Sequence, residues 1–261
     1  MTILFHELRQ NKVALIIWSA AISFMLGVCI IIYPEMSKQM GDISAMFSDM
    51  GAFSSAFGMD QLNFGEFMGY FGIECGNTLG LGGALFAAIV GASALAKEEK
   101  DHTAEFLLTH PVSRKRIISE KLLAVAVQVC LINAAAMAIS FIGILAVGVE
   151  VDIGTLALIF LAYLLLQLEI AAVAFGVSAF LRRGALGVGL GFVFGTYFMN
   201  ILANLTEELE FLKYISPFGY ADGAHIIPEG SLEIKYLAVG IVISAIGIFA
   251  AYWKYTKKDI A

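Results

Sequence analysis

Hydrophobic residues occur in six long stretches of this chain, and polar residues separate one stretch from the next. The stretches cover residues 13–33, 74–96, 122–148, 153–180, 185–205 and 236–253. An apolar helix needs about 20 residues to cross a bilayer, and each stretch is close to or above that length. Their apolar positions do not alternate with polar ones, as they would in a membrane barrel. The pattern therefore predicts an all-α polytopic membrane protein, a single domain with six transmembrane helices.

Composition supports this prediction and excludes an ordinary soluble domain. Of the 261 residues, 59% are hydrophobic and 15% are charged. Soluble domains average about 45–50% apolar and 25% charged residues. Cys29, Cys75 and Cys130 lack the spacing of metal or disulfide motifs. We therefore expect no metal site and no nucleic-acid partner.

The distribution of basic residues predicts the orientation of the chain. If the N-terminus is cytoplasmic, all but three of the 16 lysines and arginines lie on the inner side. The exceptions are Lys38, Lys213 and Lys235. Basic residues concentrate in cytoplasmic loops of membrane proteins. We therefore predict a plasma-membrane protein with both termini in the cytoplasm and with 34–73 and 206–235 outside.

Two segments on the predicted cytoplasmic side are candidates for contacts outside the bilayer. Residues 1–12 have the pattern of an amphipathic helix that lies along the inner membrane surface before the first span. Residues 97–121 form the only sizeable cytoplasmic loop. In this loop Pro111 ends a first short helix and Ser113 can begin a second. Phe106, Leu107 and Leu108 form an apolar patch, which either docks another protein or packs on the inner end of the bundle.

The outer segment 34–73 is unusually rich in methionine and phenylalanine. Methionine is an adaptable residue that is common on promiscuous binding surfaces. Met36, Met40 and Met50 are therefore candidates for an outer gate that meets a flexible apolar substrate. The second outer segment, 206–235, is too interrupted for a seventh span and predicts a helix that re-enters the membrane and bends at Ser216-Pro217.

Four polar residues within the predicted spans are candidates for a substrate pathway, namely Glu169, Gln167, Asn133 and Asn200. Glu169 lies about 11 residues from the inner end of its span, or roughly 16 Å deep at 1.5 Å per residue. A carboxyl group at that depth must be paired, protonated or exposed to water. It either faces a substrate or ion, or forms a hydrogen bond within the helix bundle as a neutral group.

Motifs for covalent chemistry are absent from these 261 residues. The chain contains no G-x-x-x-x-G-K-[ST] phosphate loop, no H-E-x-x-H and no G-x-S-x-G. We therefore expect that the chain is not itself an enzyme.

Residues 97–114 carry the strongest motif, K-E-E-K-D-H-T-A-E-F-L-L-T-H-P-V-S-R. This stretch resembles the E-x-G-T-x-E-x-L-L-x-x-P-[VI]-S-R signature that follows the second span in ABC-2 type permeases. His102 stands where that family often has glycine. Residues 5–12 are similar to the amphipathic connecting helix of the family, and 214–218 are similar to its segment before the last span.

The resemblance implies the permease half of an ABC exporter. Two such chains, identical or closely related, would form the pathway among membrane lipids. Each would dock a cytoplasmic subunit that binds ATP and Mg²⁺, so no cofactor is expected on this chain. The coupling helix that contacts this subunit would include Glu98, Glu99, Thr103, Glu105, Phe106 and Leu107, followed by Arg114.

The sequence gives one indication of the substrate and leaves two energy sources open. The apolar outer segment favours an amphipathic or hydrophobic substrate, a small membrane-active peptide or antibiotic before a lipid. The alternative function is a stand-alone ion-coupled transporter in which Glu169 binds the ion. Such a transporter would be expected to show related halves, and no internal repeat is evident.

Overall fold

The computed structural model describes residues 2–38, 51–56, 62–63, 65–100, 112–181 and 184–257. Regular structure in this part of the chain is helical, and no strand occurs in it. The helices are α1 (Thr2–Ser37), α2 (Ala52–Ala56), α3 (Phe67–Cys75), a π-helical segment (Gly76–Leu81), α4 (Gly82–Lys100), α5 (Arg114–Val147), α6 (Ile153–Ser178), α7 (Ala185–Leu205), a 3₁₀ helix (Glu207–Tyr214), α8 (Gly223–Glu229) and α9 (Ile234–Lys257).

Six of these helical segments are long and apolar enough to cross a membrane. They are α1, the continuous unit of α3, the π segment and α4, then α5, α6, α7 and α9. The predicted fold class, an all-α polytopic membrane protein, is confirmed.

The first span and the predicted N-terminal amphipathic helix form one continuous helix, α1. No glycine or proline occurs between Thr2 and Gly27, so no residue interrupts the helix before that point. Pro34 lies in the last turn. The first turns of α1 therefore continue directly into the membrane-spanning part.

Helices α5 and α6 have clear end signals. Ser113 begins α5, because its hydroxyl accepts a hydrogen bond from the Arg116 amide at 3.3 Å. Gly148, with a φ of 73°, ends the helix in the left-handed conformation. Asp152 begins α6 and accepts from the Thr155 hydroxyl at 2.6 Å. The hydrogen bonds from Thr155 hold the pKa of Asp152 below its usual range.

Helix α6 lies at the centre of the bundle and packs closely on α4 and α9. A Cβ atom at Gly91 of α4 would lie 2.6 Å from the Ala171 carbonyl oxygen. A Cβ atom at Gly247 of α9 would lie 2.9 Å from the Ala172 carbonyl oxygen. Glycine thus permits backbone contact on two sides of α6, as is common between membrane helices.

The structure places two boundaries differently from the sequence pattern. The second span begins at Phe67 rather than near 74, because the apolar end of the outer segment continues the helix. The outer segment that follows α7 contains the 3₁₀ helix and α8 rather than one re-entrant helix. Between them the chain turns at Ser216–Ala221, and all of these residues are buried.

Candidate functional site

An ion-pair cluster joins α1, α4 and α5 near the predicted cytoplasmic end. The Lys121 Nζ atom lies 2.7 Å from Glu7 Oε1 and donates to the Ala94 carbonyl at 2.8 Å. Lys97 Nζ lies 3.7 Å from Glu7 Oε2. Lys121 is 1% exposed and Glu7 is 5% exposed. Buried charges depend on their partners, so Glu7, Lys97 and Lys121, here called the inner ion cluster, fix these three helices to one another.

A second contact attaches the N-terminus of α1 to α5. Glu120 Oε2 accepts hydrogen bonds from the amides of Ile3 at 3.0 Å and Leu4 at 3.3 Å. Its Oε1 atom accepts from Arg116 Nε at 2.9 Å. The first amides of a helix have no partner within the helix, and a carboxylate there also interacts favourably with the helix dipole. Glu120 therefore caps α1 from the neighbouring helix.

The C-terminal end of the predicted coupling loop, 97–121, contacts α9. The Arg114 Nη1 atom donates to the Thr256 carbonyl of α9 at 3.5 Å. The hydroxyl groups of Ser119 and Tyr252 lie 2.7 Å apart. At the α4 end of the loop, Lys97 thus contacts α1, and at the α5 end Arg114 contacts α9. The other predicted coupling residues lie outside the described part of the chain. The structure describes only the backbone of Glu98 and Glu99, and it does not describe Thr103, Glu105, Phe106 and Leu107.

Asn133 and Gln167 form a hydrogen-bonded pair inside the bundle. Asn133 Nδ2 donates to Gln167 Oε1 at 2.7 Å, and Gln167 Nε2 donates to the Leu79 carbonyl at 2.9 Å. Leu79 belongs to the π segment, and such segments often occur at functional sites. A Cβ atom at Gly83 would lie 2.1 Å from Gln167 Nε2, so glycine there admits the amide. The chain of hydrogen bonds therefore connects α5, α6 and the π segment.

Glu169 lies on a different face of α6, against α9 and the outer turn. Its Oε2 atom accepts a hydrogen bond from the Tyr220 hydroxyl at 2.9 Å. Burial, and then the charge of Glu169, raise the pKa of Tyr220, which keeps this phenol neutral and able to donate. A Cβ atom at Gly240 would lie 2.2 Å from the same oxygen. The Oε2 atom of this carboxyl group therefore lies between a phenol hydroxyl on one side and bare backbone on the other.

A small polar cavity lies at the predicted outer end, between the π segment, α6, α7 and α8. Its volume is about 70 Å³, enough for a few water molecules. Asn204 Nδ2 donates to Asp222 Oδ2 at 3.3 Å, and burial raises the pKa of Asp222. Asn200 Oδ1 is buried and has no hydrogen-bond partner in the described part of the chain.

The four predicted pathway residues are therefore distributed over three places. Asn133 and Gln167 are in contact, Glu169 faces α9, and Asn200 lines the outer cavity. Of the predicted gate residues, Met36 is half-buried and packs against the core. Met40 and Met50 lie outside the described residues.

The sequence pattern does not mark Glu7, Lys121, Tyr220 or Asp222 as site residues. Lys121 and its partner Glu7 are 114 positions apart, so no local motif contains both. A basic residue next to an apolar stretch and an acidic residue in an amphipathic helix were the available signals. Within the described residues no group of His, Cys, Asp and Glu is arranged to hold a metal ion.

Comparison with models of known protein families identifies the family of nearly the whole chain. Residues 1–260 match the family model described as ABC-2 family transporter protein. The search of curated proteins found no similar sequence.

Proposed function

The chain belongs to the ABC-2 transporter family, and from this premise we propose that it is the permease subunit of an ATP-driven exporter. The observation that carries the proposal is the family match over nearly the whole chain, which includes all six candidate spans. Membership implies association with an ABC ATP-binding subunit. In the proposal ATP and Mg²⁺ bind that subunit, and a second permease copy, identical or closely related, completes the pathway in the plasma membrane.

The proposed transmission of force begins at the coupling loop. The loop docks on the ATP-binding subunit through Glu98, Glu99, Thr103, Glu105, Phe106 and Leu107. Its two ends lie at the inner ion cluster and at the contact of Arg114 with α9. These contacts support the proposal, because a displaced loop would move α1, α4, α5 and α9 together. ATP binding would then shift the bundle between two states according to its differential affinity for them.

Both termini are cytoplasmic in this proposal, which places the ATP-binding subunit on the side of the inner ion cluster. Apolar side chains on the outside of the bundle contact lipid. Phe249, which is 72% exposed on α9, is an example. Transport is directed outward, and the substrate is amphipathic.

Replacing Phe106 by alanine should weaken binding of the ATP-binding subunit by at least about tenfold. Full burial of a large apolar side chain contributes about 1.5–3 kcal/mol before ordering costs, and 1.4 kcal/mol corresponds to one decade in Kd. The measurement is the affinity of the purified permease for the subunit in lipid nanodiscs. The thermal stability of the same preparation is recorded alongside it.

The matched control is Phe249→Ala, which removes the same side chain from the exposed surface of α9. This variant should bind the ATP-binding subunit like the wild-type chain. If Phe106→Ala lowers thermal stability and leaves the affinity unchanged, Phe106 packs on the bundle and its proposed docking role is wrong.

A stand-alone ion-coupled transporter is the second candidate, and the carboxyl group of Glu169 is the observation that favours it. Glu169 is buried at membrane depth and hydrogen-bonded to Tyr220, as an ion-binding residue could be. Transport driven by a proton or sodium gradient without ATP would support this candidate. Transport that requires ATP and the second subunit would exclude it.

A further inference from the structure

A groove of about 450 Å³ opens on the outside of the bundle between α5, α6 and α9. This volume lies within the range of about 300–1,000 Å³ that is typical of small-molecule sites. Apolar side chains line most of it, including Leu122, Leu168, Leu237, Ile241, Ala245 and Ile248. The polar side chains in the lining are Glu169, Tyr220 and Ser244. A mostly apolar groove with a few convergent polar groups is the usual composition of a ligand site.

The carboxyl group of Glu169 is only partly satisfied by the protein. Tyr220 donates to Oε2, and no described residue donates a hydrogen bond to Oε1. The described part of the chain also places no lysine, arginine or histidine in an ion pair with this group. The described chain also does not bury the Oε1 atom completely. One oxygen of the carboxyl group is therefore available to a molecule in the groove.

Glycine at position 240 leaves room for the Glu169 carboxyl group, and serine at position 244 lies on the same wall of the groove. They lie one helical turn apart on α9 and both line the groove. Any side chain at Gly240 would collide with the Glu169 carboxyl group. The Ser244 hydroxyl adds a second acceptor on the same wall. The polar groups are therefore gathered at one place in an otherwise apolar groove.

We propose that this groove binds an amphipathic amine from the membrane, with the ammonium group on Glu169 and the apolar chain between α5, α6 and α9. The negative charge of Glu169 favours a ligand with a positively charged headgroup. An unpaired carboxylate within a membrane is energetically unfavourable, and a bound ammonium group supplies the missing counter-charge. A carboxylate amphipath would be repelled by Glu169, and an alcohol would form only a neutral hydrogen bond.

This inference rests on the proposed function, because it names the class of molecule that the exporter would take from the membrane. The position of the groove supports lateral entry from lipid, since exposed residues such as Ile241 and Ala245 form its rim. Such an entry requires no opening of the bundle to water on either side.

The test is equilibrium binding of radiolabelled dodecylamine to the full chain in phosphatidylcholine nanodiscs, with empty nanodiscs as the partition blank. We expect saturable binding, and competition by dodecanol and dodecanoate at least tenfold weaker than by unlabelled dodecylamine. Glu169→Gln should weaken dodecylamine binding at least tenfold and remove the preference over dodecanol. Glu74→Gln, the same change at a carboxyl group outside the groove, should leave binding unchanged.

A second variant tests the groove without altering the carboxyl group. Ala245→Phe adds a large side chain at the exposed rim, so it should fold normally and weaken the binding of both dodecylamine and dodecanol. Equal dodecylamine affinity in the wild-type chain, Glu169→Gln and Ala245→Phe would overturn the inference. Tighter binding of dodecanoate than of dodecylamine would also overturn it.

Failure of this inference can be separated from failure of the proposed function. The same preparations are assayed for binding of the ATP-binding subunit and for ATP hydrolysis that depends on the permease. Normal coupling without specific dodecylamine binding would overturn the amine site alone. Specific dodecylamine binding without any association with the ATP-binding subunit would contradict the proposed function and retain the amine site.

Discussion

Replacing Lys121 by methionine is expected to lower the free energy of unfolding by about 3 kcal/mol. Removing one partner of a buried ion pair costs about 3–5 kcal/mol, because the other charge is left unpaired. In this variant Glu7 still has Lys97 as a partner at 3.7 Å. We therefore expect a loss of unfolding free energy at the lower end of this range. The variant also loses the hydrogen bond to the Ala94 carbonyl. The measurement is reversible denaturation of the purified chain in mixed micelles.

Two comparisons show whether this loss comes from the inner ion cluster. Lys235→Met breaks ion pairs of a residue whose side chain is 48% exposed, and such pairs contribute only about 0–1 kcal/mol. The double variant Glu7→Leu with Lys121→Met removes both charges and should be more stable than Lys121→Met alone. A loss for Lys121→Met no larger than that for Lys235→Met would mean that the cluster does not fix α1 to α5.

Replacing Gly91 by leucine should prevent normal packing of α4 on α6. The Cβ atom would lie 2.6 Å from the Ala171 carbonyl oxygen and 3.2 Å from the Phe175 amide nitrogen. Both are backbone atoms, which cannot move aside as a side chain can. Overpacking costs about 1–3 kcal/mol and sometimes more, and here we expect about 3 kcal/mol or loss of the folded protein. Thermal stability and elution on size-exclusion chromatography measure the effect.

The matched control is Gly191→Leu on α7, where a Cβ atom would meet nothing within 4 Å. Leucine also favours a helix more than glycine does, so the isolated chain should be at least as stable as the wild type. If Gly91→Leu and Gly191→Leu were equally stable, the close contact of α4 with α6 would be contradicted.

The sequence predicts the fold well because spans are encoded locally. Each apolar stretch of about 20 residues must be a helix to satisfy its own backbone in lipid. Boundaries are less certain where an apolar loop adjoins a span. The outer segment before residue 74 contains Phe67 and Phe71, and hydropathy alone cannot tell that these residues already belong to the helix.

The candidate site is predicted only in part, because it depends on how each helix is rotated and which helices are neighbours. Glu169 and Gln167 are two positions apart on α6 and therefore face different neighbours. Which neighbour each meets is decided by glycines on α4 and α9 that admit the side chains. The pairing of Glu7 with Lys121 likewise links distant parts of the chain, and no local pattern contains it.

For the coupling loop the sequence gives more information than the structure, because most of its motif lies outside the described residues. The motif in residues 97–114 indicates the family, and the match over residues 1–260 confirms it. The contacts at the two ends of the loop, through Lys97 and Arg114, were not predictable from the motif. They supply the physical connection on which the proposed coupling depends.

The most direct test of the proposed function is ATP-driven transport in proteoliposomes that contain this chain, its ABC ATP-binding subunit, or both. Release of a fluorescent amphipathic amine from the membrane is followed together with ATP hydrolysis. We predict that hydrolysis is stimulated by the substrate, and that transport occurs, only when both proteins are present. Transport by this chain alone, driven by a proton or sodium gradient and indifferent to ATP, would contradict the account.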